Sequence, residues 1–168
     1  DASAEVGTKL TDLLELKDDV HIEIGLTPNR GDASSHFGVA RDLKALLHKE
    51  LRFPATDIKS SDIKNPVTLT IENTEGCPRY SGIYIQGVDV KPSPMWLQNA
   101  LKSIDISPTN NVVDVTNYVL HELGQPIHAF DADHIGGNKI IVRNSKQNEK
   151  IVTLDGLERE LDGSELLI

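Results

Sequence analysis

Asn110-Asn111 on one side and Gly124-Gln125-Pro126 on the other bracket thirteen residues whose ends are both written into the sequence. An asparagine before an apolar-periodic run accepts the amides that a first helical turn leaves unpaired. A glycine after it can adopt the left-handed conformation that closes a helix, and a proline two residues on prevents resumption. Val112/Val113, Thr116, Val119/Leu120 and Leu123 recur at i, i+3, i+4 spacing, so the segment is expected to form a half-buried helix. Yet the stretch from Asn111 to Phe130 also holds Thr116, Asn117, His121, Gln125 and His128. A helix that only filled a core would not need so many amides, hydroxyls and imidazoles, and that polarity directs attention here for chemistry or recognition.

The rest of the chain reads as α+β. Val20, Ile22 and Ile24 alternate with polar residues as a strand at 20–26 would. The turn-rich Thr27–Asp32 segment follows, and then Ser34 or Ser35 can cap a helix with Phe37, Val39/Ala40, Leu43 and Leu46/Leu47 on one stripe. A polar passage from Arg52 to Pro66 suggests a linker, giving an N-terminal module at 1–52, a linker at 53–65 and a second, truncated domain at 66–168. In that domain, alternation at Val67, Leu69 and Ile71 and again across 79–90 implies an antiparallel pair of strands. Ser93-Pro94 is a helix start, the serine capping and the proline taking the first helical position, with Trp96/Leu97 and Ala100/Leu101 facing inward over 94–103. Strands at Lys139–Arg143 and Ile151–Leu154, an Asp155-Gly156 turn and a return strand through Leu161 complete a mixed, mainly antiparallel sheet.

Charge and cysteine usage narrow the function. The 168 residues carry 26 acidic against 17 basic side chains, a net charge of −9, and acids outnumber bases on both sides of Ser60. No run of Lys/Arg exceeds two, which argues against a surface built mainly for phosphates. Cys77 is the only cysteine, so no internal disulfide or cysteine-rich zinc site can form, and a reducing, cytoplasmic setting is expected. No apolar stretch approaches the ~20 residues that span a bilayer. The start at DASAEVG, without an initiator methionine, and the stop within Leu166–Ile168 read as cuts in a longer chain.

Each polar candidate has a plainer role to set beside the chemical one. His128 suits a core histidine bonding a backbone carbonyl, Asn117 a helix-surface amide bonding a neighbouring loop, and Thr116 a core residue whose hydroxyl bonds back to the preceding turn. His121 suits a solvated face. Metal binding by His121, His128 and His134 with Asp131 and Asp133 would have to cross the Gly124/Pro126 break, and no H-E-x-x-H frame is present. A serine or cysteine nucleophile has no frame either, since no G-x-S-x-G elbow occurs and Cys77 sits in an Asn-Glu-Gly-Cys-Pro turn. Asn29, Arg30 and Asp32 could hold an anion, but turn and capping bonds with a structural ion pair at Arg30 are the favoured reading. Residue chemistry alone reaches a polar cleft in an α+β domain and stops there.

The strings EIGLTPNRGDASSHFGVARDLKALL, SPMWLQNALKSIDISPTNNVVDVTNYVLHELGQPIHAFDADHI and TLDGLERELDGSELLI closely resemble the β subunits of bacterial phenylalanyl-tRNA synthetases, in order and over nearly the whole chain. The resemblance implies the end of an N-terminal module followed by the first part of a B3/B4 editing domain, an α+β unit that hydrolyses mischarged Tyr-tRNA(Phe). Matching TNY and GQP-x-HAF, it implies an editing pocket with Thr116, Asn117 and His128. The family's glycine-rich segment and the glutamate that recognises the tyrosine hydroxyl are expected beyond Ile168. The implied partners are tRNA(Phe) and the α subunit of a heterotetramer. ATP and magnesium are implied for the parent ligase and no cofactor for this region, which alone is expected to be inactive. The alternative is a non-catalytic structural module that docks tRNA or another subunit.

Overall fold

A computed structural model describes residues 4–16, 18–56, 62–153 and 155–168. Its packing divides into two compact units, one of Asp1–Asp57 with Asp89–Ala129 and one of Ile58–Val88 with Phe130–Ile168. The fold is α+β, the described residues forming four α-helices, a mixed three-stranded sheet and a separate two-stranded one. No helix among the described residues is long and apolar enough to cross a membrane.

The first unit is helical: α1 (Leu10–Leu13), α2 (His36–Leu47), α3 (Met95–Lys102) and α4 (Asn111–Leu123). α4 packs against both α2 and α3. Ser35 caps α2 as expected, its hydroxyl accepting the Gly38 N–H at 3.0 Å. A one-turn 3-10 segment, Gly31–Ala33, is pressed onto the start of α2. That approach requires glycine at 38, because a Cβ there would stand 2.2 Å from the Asp32 carbonyl oxygen and 2.7 Å from Ala33 Cα. The core contains Ala33, Leu97 and Leu101, and burying each leucine contributes about 2 kcal/mol.

Three expectations fail in this unit or at its border. Residues 20–26 form no strand: the segment runs without regular structure, its alternating Val20, Ile22 and Ile24 are 78%, 70% and 50% exposed, and no described strand pairs with it. Alternation recorded a face suited to burial, and nothing in this unit covers it. At α3, Pro94 is the cap residue, so Ser93 stands one position before the cap and makes no capping bond, its hydroxyl donating instead to Asp114. Trp96 does not face inward but stays 57% exposed, its ring meeting Tyr118 edge-on at 5.6 Å and 89°.

In the second unit, β1 (Thr68–Ile71) is followed by β2 (Lys139–Asn144), β3 (Lys150–Val152), β4 (Glu158–Glu160) and β5 (Leu166–Leu167). The expected partner of β1 at 79–90 is not a strand, and Ile83 and Ile85 are exposed. β1 instead runs parallel to β2, with Thr68 opposite Lys139 and Ile71 opposite Val142. The far side of β2 takes β5 antiparallel, giving the order β1-β2-β5, while β3 and β4 pair across the Asp155-Gly156 turn. Val142 and Leu161 are the buried apolar residues among those described here. The proposed linker falls partly on residues 57–61, outside the described residues, and both its flanks lack regular structure.

The turn from β2 to β3 is held by charge. Arg143 donates twice to Glu149, at 2.9 and 2.6 Å, and the Lys146 N–H donates to the same carboxylate at 2.8 Å. The Arg143 bonds, followed by the Lys146 amide, lower the Glu149 pKa to about 2 from an ordinary 4.5. A carboxyl depressed on folding stabilises the folded state fully above its unfolded pKa and loses that contribution as pH falls through the folded one. Asp155, Asp162 and Glu165 are shifted the same way by their hydrogen bonds. Thermal unfolding followed between pH 5 and pH 2 is expected to show steadily falling stability, and Glu149→Gln is expected to be less stable at pH 7 with a shallower acid dependence.

Candidate functional site

α4 carries two of the three candidate residues, so its own anchoring decides how firmly they are held. The Asn110 side-chain oxygen accepts the Val112 and Val113 amides, both at 3.0 Å. Asn111 pairs with the passing chain like a short rung of sheet: its N–H donates to Lys91 O at 2.9 Å and its side-chain oxygen accepts the Lys91 N–H at 3.1 Å. Its amide nitrogen also donates to Asp89 O at 2.9 Å. Asp114, wholly buried, accepts the Ser93 hydroxyl at 2.5 Å and the Thr109 N–H at 2.8 Å. One carboxylate thus binds the start of α4 to the residue before the Pro94 cap of α3 and to the loop that joins the two helices.

The other end is closed by Gly124 at φ 78°, whose N–H donates to Leu120 O at 2.8 Å. A Cβ at this glycine would also lie 3.3 Å from Ser35 Oγ, the atom that caps α2. The Tyr118 hydroxyl donates to Glu122 at 3.1 Å, and burial followed by that acidic partner pushes the phenol above its ordinary pKa.

Against this frame, Thr116 is half-buried and its hydroxyl donates to Val113 O at 2.7 Å, the back-bond of its plainer role. Asn117 is half-buried, and its carboxamide makes no hydrogen bond to another described residue. His128 lies four residues beyond Gly124 on the exposed exit loop, past Pro126. It is therefore not the buried core histidine that residue type alone would favour.

Two concavities in this unit lie elsewhere. One of about 260 Å³ is bordered by His36, Leu101, Tyr118, His121 and Glu122, where His36 Nδ1 stands 3.0 Å from the His121 carbonyl oxygen. The other, of about 570 Å³, sits at the end of α2. Neither is lined by Thr116, Asn117 or His128. Among the described residues no three His, Cys, Asp or Glu side chains gather as a metal site would need. His134 pairs with Asp131 at 3.0 Å.

The loop before α2 is structural, as favoured. Thr27 donates to Asn29 at 2.7 Å, and Arg30 bridges Asp32 at 3.0 Å and Asp42 at 2.6 Å. Arg30 in turn holds the Asp32 carboxyl below its usual range. Sequence reasoning missed Asp114. The available signal was an acidic residue in the first helical turn, where the helix dipole favours it, but nothing in the spacing showed that Ser93, 21 positions earlier, would reach it.

The sequence model of the B3/4 domain matches residues 76–168, more than half of the chain. The chain belongs to the B3/4 domain family. Beyond the B3/4 match, it is 50% identical over 165 residues to a phenylalanine–tRNA ligase beta subunit of Carboxydothermus hydrogenoformans, covering 98% of this chain and 21% of that protein. The corresponding subunit of Bacteroides fragilis is 46% identical over 170 residues, with 96% and 20% covered. That of Salinibacter ruber is 45% identical over 174 residues, with 100% and 21% covered. The chain spans about a fifth of the length of the curated relatives it matches.

The Asp114 contacts place a measurable demand on this B3/4 chain. Asp114→Ala would strand the Ser93 hydroxyl and the Thr109 amide in a buried site and is expected to cost about 3 kcal/mol in chemical unfolding, with Ser93→Ala costing about 1 kcal/mol. Equal stability of Asp114→Ala and the parent chain would contradict the anchoring role.

Proposed function

We propose that this chain is part of a phenylalanine–tRNA ligase β subunit and supplies one portion of an editing site that hydrolyses Tyr-tRNA(Phe). The observation that carries this reading is the 45–50% identity to those subunits along nearly the whole chain, together with the B3/4 match. In this reading the partners are tRNA(Phe) and the ligase α subunit, and the setting is the cytoplasm. ATP and magnesium serve the synthetic step of the parent enzyme, outside this region.

The residue types fit the reaction. An aminoacyl ester is already activated, so its hydrolysis requires a placed water and a stabilised oxyanion more than a covalent nucleophile. Water adds to the ester carbonyl, the bond to the ribose oxygen breaks, and that oxygen leaves with a proton. Asn117, whose carboxamide has no partner among the described residues, has both a donor and an acceptor to offer the ester or the amino acid. The Thr116 hydroxyl already donates to Val113 O, so its remaining lone pairs can accept a bond from the substrate amine. His128, exposed on the exit loop, orients the water or bonds the terminal ribose.

Selectivity follows from polar satisfaction. A synthetic pocket shaped for phenylalanine rejects an isostere with one added hydroxyl only about 10²-fold, whereas a second site that bonds the hydroxyl can discriminate roughly 10⁴-fold, since phenylalanine would leave its polar groups unpaired.

A non-catalytic docking role is the second reading, and the exposed apolar rows at Val20–Ile24 and Ile83–Ile85 favour it. Deacylation kinetics separate the two. In the full-length ligase, His128→Ala and Asn117→Ala are each expected to slow Tyr-tRNA(Phe) hydrolysis about 10²-fold, the scale of one lost transition-state donor, while Phe-tRNA(Phe) synthesis continues. Wild-type deacylation in both variants would leave the docking role.

A further inference from the structure

The concavity at the end of α2 is lined by Arg41, Lys44, His48 and Lys49, with Glu50 as its one acidic member. Arg41 and Lys44, three residues apart, are neighbours on α2, His48 is the left-handed residue that closes the helix, and Lys49 follows directly after it, so all four meet at one rim. A helix C-terminus favours cations, which accounts for their position. It does not account for their pairing. In a chain of net charge −9, Lys44 and Lys49 make no ion pair with any described residue, while Asp42, the nearest acid on the helix, is bound to Arg30. Arg41 is held in place from behind, its guanidinium donating to Asp32 O at 2.8 Å, standing 3.7 Å from the Asp32 carboxylate and lying 5.9 Å from the centre of the Phe37 ring, so its charge is partly met and the two lysines carry the rim's open charge.

The hollow, about 570 Å³, has its basic side chains spread along an open rim, which suits a flexible chain of charges laid across it. Against a net charge of −9, a rim that gathers several basic side chains around one acid is a favourable place for a phosphate chain to rest.

We infer that the Arg41/Lys44/His48/Lys49 rim is a phosphate-backbone contact for RNA, holding a short stretch of phosphodiesters away from any site of chemistry. This rests on the proposal that the chain acts on a tRNA. Each neutralised phosphate adds ~0.7–0.9 to the slope of log affinity against log salt.

The test uses the full-length ligase with Lys44→Glu/Lys49→Glu and, as a gentler pair, Lys44→Gln/Lys49→Gln, titrated with tRNA(Phe) from 50 to 200 mM KCl. The inference expects the glutamine pair to lower the salt slope by about 1.5 and the low-salt affinity about 10-fold, with a larger loss for the glutamate pair. Unchanged affinity and slope in both pairs overturn the contact. If His128→Ala still impairs Tyr-tRNA(Phe) hydrolysis in that case, the editing reading stands without it, whereas a wild-type ligase that binds no tRNA(Phe) removes both. Displacement of tRNA from the wild-type rim by millimolar inorganic phosphate at constant ionic strength, absent in the glutamine pair, would make this a free-anion site and overturn the RNA assignment.

Discussion

The arrangement of the helical unit depends on a buried carboxylate. Asp114 is fully enclosed, and a charge or a polar group taken out of water is tolerated only where its lone pairs are matched. Here the Ser93 hydroxyl and the Thr109 amide match them. Because Ser93 immediately precedes the Pro94 cap of α3 and Thr109 immediately precedes the Asn110 cap of α4, the same residue sets where both helices begin. Leu97 and Leu101 supply the apolar contact between such elements, but hydrophobic contact is non-directional and does not fix a register. The carboxylate does, since a shift of either helix by a residue would break one of its two bonds. Thr116 and Asn117, one half-turn and nearly one turn further along α4, inherit their placement from it.

Local signals were legible to within a residue. Ser35, Asn110 and Gly124 cap where their chemistry says they should, because a cap needs only its own neighbours within three or four positions. The Asp155-Gly156 turn and the strands on either side of it were legible for the same reason. Ser93 shows the limit of this logic. Its type and its place before a proline describe an N-cap, but the helix begins one residue later with Pro94 in the cap position, and the Ser93 hydroxyl is turned to a buried acid 21 residues away, a charge-assisted bond that no neighbouring residue announces.

Strands were legible only as faces. Alternation is equally good at 20–26, at 67–71 and within 79–90, yet only Thr68–Ile71 joins a sheet, and it joins in parallel with a segment some seventy positions away. Period two records that one face is suited to burial, whereas a ladder also requires a second chain whose amides and carbonyls stand in register. That second requirement is non-local and leaves no trace in the segment itself. The exposed rows Val20–Ile24 and Ile83–Ile85 are therefore the same sequence signal as β1 without the neighbour. The candidate site divides along the same line: the helix under Thr116 and Asn117 could be read from its caps, while the exposure of His128 could not, because whether an imidazole after a helix exit is covered depends on what folds over it.

Charge behaves likewise at two scales. The total of −9 describes how the molecule repels polyanions from a distance, but that repulsion is screened over about 8 Å at physiological ionic strength. Within that length, what matters is which charges are already spent. Arg30 is consumed by Asp32 and Asp42, Arg143 by Glu149, and Arg159 by Asp155, so these cations present little net field outward. Lys44 and Lys49 are not consumed in this way among the described residues. A run-length count along the sequence weighs all five alike, since it cannot see that a bidentate partner cancels one arginine while two lysines five positions apart border the same hollow. The sign of the whole chain therefore limits how much of its surface can meet a phosphate backbone, and the pairing of individual side chains decides where.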